Sequence, residues 1–115
     1  MSLTWILNSE EYICCSKVII KKLGVFEALV LGELRNVAQR FAYEAFHIKM
    51  EDICGETGMS EYQARKALNR LNSAGLVSMK KMGIPGRNYY KVNNDSLSEF
   101  LTEDANVQEN NKEVF

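Results

Sequence analysis

The sequence predicts one mainly α-helical domain closed by a small β-hairpin, an α+β architecture, and three observations carry that prediction. Apolar residues recur at spacings of three and four across residues 25–41, the mark of an amphipathic helix. Ser60 opens a second helical stretch that runs to Ala74 and meets Gly75. Ser60 with Gln63 forms a capping box, and glycine is favoured just past a helix end. Two short runs, 76–82 and 87–92, flank Gly83-Ile84-Pro85-Gly86, strong turn chemistry between two strands. Helices and strands do not alternate as βαβ units, which argues against a doubly wound sheet.

In chain order, residues 12–23 read as a short strand or turn leading into a helix from Ser16, interrupted by Gly24. The 25–41 helix places Phe26, Leu29, Val30, Leu34, Val37, Ala38 and Phe41 on its core face. Phe46-His47-Ile48 reads as a short strand. Residues 51–57 form a short helix with Ile53 and Cys54 inward, and Gly58-Met59 make a turn. The 60–74 helix and the hairpin follow. A last short helix ends near Leu101, with Leu97, Phe100 and Leu101 on one side. These elements suit a single domain over residues 1–102, and the polar, acidic 103–115 reads as a flexible tail.

The net charge of -1 hides a segregation. Residues 1–59 carry net -2 and residues 94–115 net -5, while residues 60–93 carry net +6 with Glu61 as their sole acid. Such a basic block points to an anionic partner. A solvated basic face would have the same composition.

Residues 50–69, MEDICGETGMSEYQARKALN, follow the helix-turn-helix plan of two helices joined by a glycine-containing turn. Gly58 supplies a positive φ. Ile53, Met59, Ala64 and Ala67 fill the angle between the helices, and the alanines permit close crossing. On a helical wheel Ala64, Ala67, Leu68 and Leu71 share the inner face. The outer face carries Tyr62, Lys66, Asn69 and Ser73, flanked by Gln63, Arg65 and Arg70. Arg and Lys can pair with phosphate or guanine, and Asn or Gln with adenine, in the major groove. The hairpin adds Lys80, Lys81 and Arg87 around its tip, where a β-ribbon can lie on the phosphate backbone. A helix-turn-helix followed by a basic hairpin is a winged helix-turn-helix. The candidate interface with double-stranded DNA is therefore Ser60, Tyr62, Gln63, Arg65, Lys66, Asn69, Arg70, Lys80, Lys81 and Arg87. Tyr89 and Tyr90 alternate across their strand, one toward the core and one toward the surface.

LGVFEALVLGEL and ETGMSEYQARKALNRLNSAGLVSMKKMGIPGRNYYKVN resemble the N-terminal domain of phage and plasmid replication initiators, the replisome-organiser, DnaD-like group. The resemblance covers residues 16–93, and the wing segment GIPGRNYYKVN is its most distinctive part. It implies a winged helix that binds origin DNA through the third helix and the wing, often as a dimer, with replisome or primosome proteins as further partners. In that family a second, C-terminal domain usually follows.

Other chemistries find little support. Cys14, Cys15, Cys54 and the lone His47 lack metal-ligand spacing, and buried thiols are the simpler expectation. No third residue orients a Cys–His pair for nucleophilic catalysis, and Gly83 and Gly86 belong to a hairpin rather than a phosphate loop. The reading is therefore of a binding protein, not an enzyme, without metal or cofactor. No apolar run approaches the length of a membrane span. Residues 1–5 lack signal-peptide features and three cysteines cannot all pair, so a cytoplasmic location is expected. Three functions remain open: sequence-specific DNA binding in replication initiation of a mobile element, transcriptional regulation with the same fold, and a winged helix used for protein–protein interaction. For a homodimer, the expected contacts are Trp5, Ile6 and Leu7 at one end and Leu97, Phe100 and Leu101 at the other.

Overall fold

Ser16 starts the first helix, its hydroxyl accepting from the Ile19 amide at 3.4 Å. The structure is a computed structural model that describes residues 12–84 and 86–111, with side chains as far as Thr102. Trp5, Ile6, Leu7 and Pro85 lie outside the described residues, as do the side chains of the expected tail. Helix α1 (Lys17–Lys22) is followed at Gly24 by α2 (Val25–Arg40), then strand β1 (Phe46–His47), α3 (Met50–Thr57), α4 (Glu61–Ser73), β2 (Val77–Met82), β3 (Arg87–Val92) and α5 (Asn94–Asn111). This is an α+β winged helix-turn-helix.

Helix α2 is central, packing against α1, α3, α4 and β3. Its burial therefore extends around the helix instead of following the predicted stripe. Val30, Leu34, Val37 and Ala38 are buried as expected, but Phe26 and Phe41 at its ends are exposed, and Glu27 and Glu33 are buried. Gly32 faces the incoming chain: a Cβ there would stand 2.6 Å from the Cys14 carbonyl oxygen. The absent side chain thus lets residues 13–14 cross α2 at backbone contact, and Asn36 Nδ2 fastens the crossing by donating to the Tyr12 carbonyl at 2.9 Å.

The three strands form one antiparallel sheet in the order β1-β3-β2. The hairpin pairs Val77 with Val92 through Met82 with Arg87. The two-residue β1 adds Phe46 opposite Tyr90 and His47 opposite Tyr89. Phe46 is buried between Phe41 and Tyr90, with ring centroids 6.0 and 6.3 Å away. To reach that place the chain turns through Ala42 and Tyr43, both at positive φ (52° and 62°), a conformation that side chains adopt at a cost.

Helix α5 differs from expectation in length. Its backbone stays helical to Asn111, ten residues beyond the predicted end near Leu101. No Gly or Pro interrupts residues 94–111, so nothing in the backbone chemistry forces an earlier stop. Leu97 is buried in the core, with Phe100 and Leu101 partly buried against it, and Lys22 Nζ sits 4.7 Å from the Phe100 ring centroid. This apolar cluster therefore folds back on its own domain and is not a free dimer surface.

Candidate nucleic-acid interface

Two turns position α4. Gly58 ends α3 in the left-handed region (φ 75°), its amide bonded to the Cys54 carbonyl at 2.8 Å. Any side chain at that φ is strained. Ser60 then caps α4 in a complete capping box: Ser60 Oγ accepts from the Gln63 amide at 3.2 Å, and Gln63 Oε1 accepts from the Ser60 amide at 3.1 Å. At the far end the Leu76 amide bonds to the Leu71 carbonyl and the Gly75 amide to the Asn72 carbonyl, both at 3.0 Å. That pair of bonds is a Schellman motif, and Leu71 and Leu76 are both buried across it.

The wheel assignment of α4 holds. Ala64, Ala67, Leu68 and Leu71 are buried, while Tyr62, Arg65, Lys66, Asn69 and Arg70 are exposed. Tyr62 is 74% exposed, far outside any core role. The outer face borders an open groove of about 630 Å³ whose far wall includes Leu23, at the end of α1.

Several predicted site residues already have structural partners. Ser60 and the Gln63 oxygen are engaged in the cap, leaving the Gln63 amino group as its only donor to a ligand. Arg65 donates through Nε to Glu61 at 2.9 Å, an exposed pair one helical turn apart. Arg70 Nη1 donates to Glu27 Oε1 at 2.9 Å, joining α4 to α2. The Glu27 side chain is 6% exposed and that of Arg70 48%, so this arginine neutralises a buried carboxylate and can offer only its outer edge to a ligand. No local spacing announces this pairing, because the partners lie 43 residues apart.

The wing carries Lys80, Lys81 and Arg87 on exposed positions beyond the core. Tyr90 is buried, and burial pushes its hydroxyl pKa up, with Asn88 and Arg65 opposing. Tyr89 is the half-exposed member of the pair, its ring 5.7 Å from that of His47. His47 Nδ1–H donates to the Asn88 carbonyl at 2.9 Å and tethers β1 to the wing. This histidine therefore has a structural task that its isolated position in the sequence did not reveal.

Cys14 is exposed and Cys15 and Cys54 are half-buried, so the expectation of buried thiols fails for Cys14 and is met only in part at the other two. Burial, then the neighbouring Cys14, pushes the Cys15 thiol pKa up. Among the described residues, no three His, Cys, Asp or Glu side chains stand together as a metal site, and no helix is long and apolar enough to cross a membrane.

No family model matches the chain, and no curated protein matches it. Among solved structures, one described as the N-terminal domain of a DNA binding protein superposes with a TM-score of 0.59 at 15% identity, over 90% of this chain and 93% of that one. Another, the 1–100 fragment of a possible transcriptional regulatory protein from Mycobacterium bovis, gives a TM-score of 0.49 at 23% identity, over 79% of this chain and 87% of that one. The first is a likeness of fold.

Proposed function

We propose that this chain is a cytoplasmic DNA-binding module, not an enzyme, that places α4 in the major groove of double-stranded DNA and rests its wing on the phosphate backbone. The observation that carries the reading is where the basic surplus lies. All seven Lys and Arg side chains of residues 60–93 are exposed, on the outer face of α4 and along the hairpin. Lys66, Lys80, Lys81 and Arg87 are the phosphate contacts, while Tyr62, Asn69 and the Gln63 amino group face the bases. Arg70 acts mainly as a brace. The process we favour is replication initiation of a phage, plasmid or other mobile element, supported by the resemblance of GIPGRNYYKVN and the α4 segment to replisome organisers. A transcriptional regulator would use the same surface. A dimer would set two α4 helices in successive major grooves, about 34 Å apart.

Fluorescence anisotropy on duplex DNA across a salt series tests the reading. Four phosphate contacts at about -0.9 per phosphate give a log–log slope of about -3.6. Lys81→Ala and Arg87→Ala each lower that slope by about one unit, nearly regardless of sequence. Tyr62→Ala and Asn69→Ala change which sequence is preferred. If the wing variants bind like the unaltered chain at every salt concentration, the hairpin is a solvated face and the protein-interaction reading replaces this one. Sedimentation with DNA present tests the dimer, and a strictly one-chain complex overturns it.

A further inference from the structure

The end of the wing combines two features that the phosphate contacts alone do not require. The six-residue strands β2 and β3 leave the core at Val77 and Val92 and extend about 17 Å, at about 3.4 Å per residue, to the last pair, Met82 with Arg87. Beyond that pair Ile84 is fully exposed, more so than any other large apolar side chain described, and Met82 beside it is also exposed. Tight turns favour Gly, Asn, Asp or Ser, and nothing in this turn's backbone calls for isoleucine. Among the described residues, the non-glycine positions at positive φ are elsewhere, at Ala42 and Tyr43.

The cations around this apolar tip are arranged on both faces of the ribbon. Directly paired residues of an antiparallel ladder point to the same face, and successive pairs alternate. Lys80 and Arg87 therefore lie on the face opposite Lys81, because the pairs are Lys80 with Tyr89, Lys81 with Asn88 and Met82 with Arg87. A groove with a phosphate wall on each side suits a tip with cations on each side. The minor groove, about 6 Å wide, is too narrow for a two-stranded ribbon, but it can take one side chain at a turn flanked by glycines.

We propose that Ile84 is a minor-groove wedge: it enters between base steps and bends the duplex, while Lys81 on one face and Arg87 on the other hold the two phosphate walls. Apolar side chains used in this way partly unstack a step and kink DNA toward the major groove by about 20–90°. The inference rests on the DNA-binding reading and adds a shape-dependent contribution to it. Flexible pyrimidine–purine steps under the wing would be preferred, because they are the easiest to unstack.

The test uses a duplex selected from a random-sequence pool by the full chain, carrying a fluorophore pair at its ends and 2-aminopurine at successive positions. The unaltered chain should shorten the end-to-end distance and brighten 2-aminopurine at one step. Ile84→Ala should lose both signals and about tenfold in affinity with the salt slope unchanged, and Ile84→Leu should keep them. Lys81→Ala should keep the bend and lower the slope. The thermal midpoint of Ile84→Ala should equal that of the unaltered chain, since the side chain has no packing to lose. Binding without bending, or bending retained in Ile84→Ala, overturns the wedge and leaves DNA binding standing. Failure of the unaltered chain to select any duplex overturns both.

Discussion

Arg70 reaches from the outer half of α4 to a carboxylate that α2 keeps from water, and its substitution separates structural from binding roles. Arg70→Ala leaves Glu27 buried without its cation. Water reaches the half-exposed arginine site and recovers part of the loss, so the expected destabilisation is about 1–3 kcal/mol. Urea denaturation measures it, and adding Glu27→Gln to the same chain should restore part of the stability. A phosphate-contacting arginine would give the converse result, unchanged stability and a lower salt slope. Leu71→Ala, at the buried end of the same helix, should cost about 2–5 kcal/mol through a cavity. At this scale periodicity worked where a residue's surroundings follow from its own helix: Leu68 and Leu71 inward, Lys66 and Asn69 outward. It failed where the deciding neighbour comes from elsewhere. Glu27 and Glu33 are buried because α2 is covered from several directions, and no spacing within α2 announces that.

The helix-turn-helix was legible at the level of elements because its boundaries are set by local chemistry. Ser60 with Gln63, Gly58 and Gly75 each act within a few residues, and the structure has them in those roles. Ser60→Ala should lower stability by about 1 kcal/mol and weaken DNA binding through fraying of the first turn, where Tyr62 sits; circular dichroism and anisotropy on one sample compare the two effects. The close approach at Gly32 was not legible, since a glycine inside a helical pattern gives no hint of what crosses it. A Cβ at that position would meet backbone, which cannot move aside as a flexible side chain can. Gly32→Ala should therefore destabilise by about 1–3 kcal/mol despite its better helix propensity, with the loss read as a lower thermal midpoint. The pairing of β1 with the hairpin was also hidden: the strand itself could be read, but its partner lies far along the chain.

For the whole molecule, the segregation of charge sets a net +6 block against the acids that follow it. Deleting residues 103–115 removes Glu103, Asp104, Glu109 and Glu113 against Lys112, so affinity for DNA should hold or rise, most visibly at low salt where screening is weak. The placement of β1 has a consequence for how the molecule comes to exist. The hairpin of β2 and β3 closes through a short turn, but His47 meets the Asn88 carbonyl 41 residues away, and loop-closure entropy must be met before such a contact forms. The helices and the hairpin can thus assemble first, with β1 docking once α3 and α4 have brought the ends of that loop together. Phe46→Leu should then speed unfolding in stopped-flow measurements and leave the refolding rate nearly unchanged. The short strand acts as a late clasp: its release is the first step by which the wing's inner edge could open, while the hairpin itself stays paired.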